Sequence, residues 1–329
     1  MATAKGANFQ LLMCEEATWG TTPATPLCAK LPISGIGGDW FRQNLLDNPE
    51  LRGNRNPPAP VSGNISVSGS FTQTLHLDAI GWTLKHAIGV PATSGSGTFT
   101  HVGKVGFSGA SAGDLPAGMT FEHGFTDIDC YYPYTGCRVS TLAVSGSAEG
   151  VATFDVGIIG QTRGSKSATS IDAAPVEFTS DALSHFAGSI TEGGSPIAYI
   201  TEVNFTLDNG LDDSLRTFGG SGLIVDLPEN MASVTGQVTA LFQNDTLLAK
   251  AVAGTESSMT VAWTSGSYSL TFEVPELRFE ARSPSISGDR GVMITLPFRA
   301  YYANDADATI LKYTLVNDVS AYSAIAAGA

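Results

Sequence analysis

The same succession of sequence signals occurs twice in this chain of 329 residues. In the first half, apolar and small polar residues roughly alternate through Asn64-Ile65-Ser66-Val67-Ser68-Gly69-Ser70-Phe71, the mark of a strand with one dry and one wet face. Residues 75–88 then place Leu77, Ile80, Leu84 and Ile88 at helical spacing, with Gly89 as the stop. A hairpin follows over 137–160, with Val139, Leu142 and Val144 before a turn near Gly146–Gly150 and Val151, Phe154, Val156 and Ile158 after it. In the second half a strand over 200–209 ends in a polar loop, GLDDSLRTFGGSG. A strand at 234–242, a short helix at 245–253 closed by Gly254, and a long hairpin over about 267–302 come next.

Aligned by pattern, residues 62–67 answer 235–240, the helix ending at Gly89 answers the one ending at Gly254, and residues 118–122 answer 258–262. The 137–160 hairpin answers the 267–302 hairpin. A recurring order of several elements reads as a repeated unit. The expectation is a mainly β protein, a duplicated β-sandwich unit with one short helix per unit. Its domains are 1–175 and 176–329, joined through a linker at 161–175.

Composition agrees. Only 15% of residues are charged, 43% are hydrophobic and 37 are Gly, which suits strands and turns and excludes disorder. The net charge of −14 argues against a protein that grips nucleic acid, which must neutralise phosphates with Lys and Arg. No run of ~18 apolar residues is present, so no membrane span is expected. The opening MATAKGANFQLLMCEEATWG has no long apolar stretch, so no secretion signal is expected either. Four cysteines (Cys14, Cys28, Cys130, Cys137) are too few for a disulfide framework, and free thiols in a cytoplasmic setting are the default.

An enzyme needs a convergent set of groups, and none is legible. His76, His86, His101, His123 and His185 fall in no HExxH or HxH arrangement, and no CxxC supports zinc. The glycine-rich Thr217–Gly222 lacks the Lys-Ser or Lys-Thr pair of a phosphate loop. Catalytic, cofactor and metal sites are all expected to be absent.

Three phrases carry a resemblance. Glu15-Glu16-Ala17-Thr18-Trp19-Gly20-Thr21-Thr22-Pro23-Ala24-Thr25-Pro26 resembles the opening of tail tube proteins from long-tailed bacteriophages. Residues 203–211 (VNFTLDNGL) and 134–139 (YTGCRV) resemble further phrases of that family, in its order. The resemblance spans about residues 10–315. It implies a tail-tube-type β-sandwich or barrel unit, self-association into rings and stacked tubes, contacts with other tail proteins, and genomic DNA passing through the lumen without specific binding. It also implies residence in the virion tail after assembly in the host cytoplasm, with no membrane contact.

With two units per chain, a trimer of pseudo-sixfold symmetry is favoured, with a hexamer of full chains as the alternative. In the family a long loop typically reaches the neighbouring ring. Residues 38–60, a long stretch with little strand pattern, have the length for it, with prolines at 57, 58 and 60. Arg42, Leu45, Leu46, Arg52 and Arg55 are its candidate stacking residues. The competing readings are another virion β-protein, from the baseplate or capsid decoration, and a carbohydrate-binding β-sandwich. The latter would bind through Tyr131-Tyr132-Pro133-Tyr134, which are otherwise core or subunit interface.

Overall fold

The strands of the first half are drawn into two layers by one long strand. Cys130–Ser147 pairs over its first part with Gly118–Phe125, which pairs in turn with Phe9–Glu16. Over its second part it pairs with Thr153–Gly160. That strand pairs with Val61–Thr74, and Val61–Thr74 with Ile33–Gly37. The computed structural model describes residues 3–106, 115–196, 200–286, 289, 291–302 and 307–322.

The second half repeats this plan. Tyr268–Phe279 is its long strand, pairing first with Ser257–Ser265, which pairs with Gly188–Glu192. It then pairs with Met293–Ala300, that with Ser233–Leu241, and that with Ile200–Asp208. Register repeats in detail. Ile36 opposes Phe71 and Phe71 opposes Val156, as Val203 opposes Val238 and Val238 opposes Leu296. The register slips between Ile33 and Gly35, and at the matching place between Ile200 and Glu202. A fold that is mainly β, with sandwich layers and two short helices among the described residues, agrees with the sequence reading.

The helices occupy the same place in each half. Ile80–Ala87 and Thr246–Ala253 each end four residues after a lysine, at Gly89 and Gly254. Each lysine reaches a glutamate on the first strand of its half: Lys85 Nζ lies 2.6 Å from Glu15 Oε1, and Lys250 Nζ lies 2.6 Å from Glu192 Oε1. Gly254 takes the left-handed conformation, φ 62°, that closes a helix without a Cβ penalty.

The two halves are joined edge to edge. Thr141–Ser147 pairs antiparallel with Glu202–Asp208, so the larger layers of both halves form one sheet of eight strands. Its buried face carries Phe71, Leu142, Val144, Phe205, Leu207, Val238 and Phe298, within one apolar core that runs through both halves. Burying each such side chain stabilises by roughly 1.5–3 kcal/mol. A hairpin of the first half, Ala92–Ser96 with Thr98–Lys104, crosses over to pair with Lys312–Asn317 in the smaller layer of the second.

Four details differ from the sequence reading. The stretch 38–60 contains a strand, Arg42–Leu46, paired with 61–66. The helix starts at Ile80, because Leu75 is held in an extended path: its N–H donates to Ala152 and its carbonyl accepts from Leu183. Residues 161–175 form a strap fixed to the first half. Thr162 and Arg163 pair with Thr135 and Tyr134, and buried Glu122 accepts hydrogen bonds from Ser170 Oγ (2.6 Å) and the Ile171 N–H (2.8 Å). Finally, Gly69, not Gly63, is the counterpart of Gly236, since each opposes its neighbour strand at Ile158 and Phe298 respectively.

Gly69 leaves room for the Trp40 ring, which would lie 2.4 Å from any Cβ there. Trp40 stacks edge-on against Phe121 (5.7 Å), His123 (4.3 Å) and Tyr134 (5.4 Å). His123 is buried in this cluster and its Nε2 has no hydrogen-bond partner. Burial pushes its pKa down to about 4. The unfolded chain therefore binds a proton near pH 6.5 that the folded chain refuses until about pH 4. Stability is full above the unfolded value and falls as pH drops through that window, by about 3 kcal/mol from His123 alone. Urea titrations at pH 7 and 4.5 should show most of this loss, enlarged by His86, His101 and His185, whose pKa values burial also lowers. His123→Phe should remove the His123 share, and an unchanged pH slope in that variant would contradict the assignment.

Candidate assembly interfaces

Three surfaces of this fold are candidates for contact with other chains. The first is the arm. Arg42–Leu46 and 61–66 extend the pairing of Ile33–Gly37 with Val61–Thr74 beyond the sandwich as a two-stranded ribbon, with 47–60 as its tip. Every residue of the arm strand is exposed, including Arg42, Leu45 (69%) and Leu46 (55%). Leu51 at the tip is 97% exposed. Arg52 Nη2 lies 3.0 Å from Glu50 Oε2, an exposed pair that contributes little to stability, and Arg55 is exposed near the turn. The structure thus places all five candidate stacking residues on one projecting ribbon. A ribbon with bare leucines and unpaired backbone is an association hazard unless a partner covers it.

The second surface is the pair of ends of the eight-stranded sheet. Ile33–Gly37 is hydrogen-bonded along one edge, to 70–73. At the other end the long strand continues past Phe279 as residues 280–286, held to the return strand by Glu280 N–H to Pro297 O (2.7 Å) and Ser285 N–H to Met293 O (2.9 Å). Ile36 is 41% exposed and Ile286 78% exposed. The sequence reading missed this second edge. Residues 280–286 (EARSPSI) alternate poorly and contain a proline, so no strand signal marks them.

The third is the open face of the sheet. Across it run Ser68, Ser70 and Thr72, then Asp155, then Thr141, Ala143 and Ser145, then Glu202, Asn204, Thr206 and Asp208, then Thr235, Gln237 and Thr239. The register of Val61–Thr74, in which Ser, Gly and Thr alternate with Val67 and Phe71, sends the small polar groups outward. Thr239 and Thr295 hydroxyls meet at 3.1 Å. Arg278, Glu280 and Arg299 stand toward one end. No lysine lies among these residues.

The tyrosine run is divided. Tyr134 is buried in the Trp40 cluster, while Tyr131 and Tyr132 are half-buried, with the Arg163 guanidinium over the rings of Tyr132 (5.0 Å) and Phe41 (4.2 Å). All four cysteines are free and buried. Among the described residues, no three His, Cys, Asp or Glu side chains gather as a metal site would require. No helix there is long and apolar enough to cross a membrane.

No curated protein matches the chain. The protein family described as phage tail tube protein matches residues 6–300, most of its length. A projecting arm, two sheet edges unpaired among the described residues and a smooth polar face suit a self-assembling wall, and the chain belongs to the phage tail tube protein family, structural components of the virion tail that assemble with their own kind and with other tail proteins.

Proposed function

We propose that three copies of this chain close into a ring walled by the eight-stranded sheet, that rings stack into the tail tube, and that genomic DNA passes through the lumen without specific binding. The observation that supports this most is the single sheet, open on one face and, among the described residues, unpaired at both ends. Ring closure removes both edges, which would otherwise recruit strands indiscriminately. Head-to-tail stacking of rings is a heterologous contact, and such contacts propagate as filaments.

Dimensions favour three. At a strand spacing of ~4.8 Å and a tilt of ~40°, three copies give a wall about 45–50 Å across between backbones, and six copies about twice that. Barrels of about 16–18 strands already enclose an aqueous channel. The duplication, with units 1–175 and 176–329, supplies six similar wall segments from three chains.

The polar face suits a conduit. DNA carries one charge per ~1.7 Å, so a lysine-lined wall would hold it. Ser and Thr hydroxyls with Asp155, Glu202 and Asp208 let it slide. The arm at 38–60, through Arg42, Leu45, Leu46, Arg52 and Arg55, reaches the adjacent ring. The work is mechanical, with no reaction catalysed, and the subunit assembles in the host cytoplasm. Negative-stain electron microscopy of the purified protein tests the reading. Rings or tubes are expected, and dispersed monomers at all concentrations would contradict it.

A further inference from the structure

Two of the four cysteines meet across a strand pair. Phe9–Glu16 pairs antiparallel with Ala29–Lys30, with Leu12 opposite Lys30 and Met13 opposite Ala29. One step further in the same register sets Cys14 opposite Cys28. Neighbouring bonds fix the kind of pair. The Leu31 N–H donates to the Leu11 carbonyl at 3.0 Å, so 11 with 31 and 13 with 29 are hydrogen-bonded pairs, and 14 with 28 is a non-hydrogen-bonded one. Accordingly, the Cys28 carbonyl turns away to the Val176 N–H (2.8 Å) and the Cys28 N–H turns to Asp172 Oδ2 (2.9 Å). Opposed residues of this kind lie closest, about 4.5 Å apart at Cα, inside the ~4.4–6.8 Å that a disulfide spans.

The two thiols share one face. Leu11, Met13, Ala29 and Leu31 point into the main core, while Leu12, Cys14 and Cys28 form a small cluster of their own on the other side, under Ile171 of the strap. Cys14 is 1% exposed and Cys28 0%. Cys130 and Cys137 are arranged differently. They stand along a single strand, Cys130 opposite Phe125 and Cys137 opposite Met119.

We propose that Cys14 and Cys28 are a disulfide site, joined by exchange with a low-molecular-weight disulfide once the subunit leaves a reducing compartment. One thiolate attacks the small disulfide and releases a small thiol. The second attacks the mixed disulfide so formed and releases another. Two protein thiols are oxidised, one small disulfide is reduced to two thiols, and the two protein protons pass to them. In the host cytoplasm the thiol pool runs the exchange backward, and in the released tail it does not. Only the place of oxidation rests on the virion reading above. The bond ties together both ends of residues 15–27, a segment already held to the first half by the Gly136 N–H on Glu16 Oε1 (2.9 Å) and by Trp19 Nε1 on the Gly136 carbonyl (3.0 Å). Such a crosslink restricts the unfolded chain and so stabilises the folded one. The facing Cys14 thiol, burial, and the carboxylates of Asp172 and Glu122 hold the Cys28 thiol above its usual range. The thiolate is the attacking form, so exchange is slow at neutral pH and quickens as pH rises.

Tryptic peptides test the site, because no Lys or Arg lies between Lys5 and Lys30 or between Lys104 and Arg138. Peptides 6–30 and 105–138 therefore carry two cysteines each. Purified protein held in oxidised glutathione at about pH 8, then denatured and alkylated with iodoacetamide, should give 6–30 with an internal bond and no alkyl group. Peptide 105–138 should keep both alkyl groups, and reduced protein should carry both on each peptide. Refolding from urea in a mixed glutathione buffer removes burial as a barrier and should give the same bond. Oxidation should raise the melting temperature of the wild type by several degrees and leave that of Cys14→Ser unchanged. Peptide 6–30 that stays fully alkylated after refolding to native protein, or that links to 105–138 or to a second chain, would overturn the site. Protein that forms the bond yet never assembles would uphold the site and overturn the tube reading alone.

Discussion

A chain lacking residues 42–56 is expected to fold, remain soluble and form no stacked tubes. Nothing in that stretch belongs to the core. Its strand Arg42–Leu46 is exposed throughout, and its one ion pair, Arg52 with Glu50, lies on the surface. Trp40, which does fill the core over Gly69, is retained. The remaining strand at 61–66 keeps a partner on its other side, where the Ile65 N–H donates to Gly222 O at 3.0 Å. Loss of exposed contacts of this kind changes stability by about 1 kcal/mol or less. Assembly is a different matter, because Leu45, Leu46 and Leu51 are the largest exposed apolar group on one projection. Tube mass recovered by sedimentation should fall at least tenfold while the urea midpoint stays near wild type. Normal tubes from the deleted chain would remove the arm from the account.

Separating the chain between residues 175 and 176 is expected to leave both pieces insoluble. The cut parts several sets of backbone pairing at once, among them that of Cys28 and Lys30 with Val176. Thr141–Ser147 loses Glu202–Asp208, which uncovers Leu142, Val144, Val203, Phe205 and Leu207. Thr98–Lys104 loses Lys312–Asn317, and with it the close approach of Gly103 to the Tyr313 ring. Leu183, whose N–H donates to Leu75 and whose carbonyl accepts from Ala152, leaves the first half as well. Uncovering about five large apolar side chains costs roughly 1.5–3 kcal/mol each, comparable to the whole stability of a domain. Coexpression of 1–175 with 176–329 should return a soluble complex. Either piece expressed alone as a soluble monomer with a cooperative melt would contradict the interlocked arrangement.

The halves were legible because their strands carry one wet and one dry face, which alternation reports. The arm strand was not, since all its side chains are wet, and 280–286 was not, since it alternates poorly and contains Pro284. The repeat was found, but its register in the Ser/Gly-rich strand slipped by six residues. Gly63 and Gly69 look alike in sequence, and only the ring of Trp40, brought from a distant loop, distinguishes them. The strap at 161–175 has the composition of a linker, yet a single buried carboxylate, Glu122, fixes it through two hydrogen bonds. The five residues proposed for the arm share one ribbon by their places in the chain, and their role in stacking is the proposal above, whereas the sheet edges could be recognised only once the two halves could be compared pair by pair.

Rotational averaging of end-on tube views tests the central claim most directly. Two wall segments per chain, joined by one repeated edge contact, predict threefold symmetry with six similar lobes at the lumen. True sixfold symmetry, with six full chains and outer knobs, would contradict it.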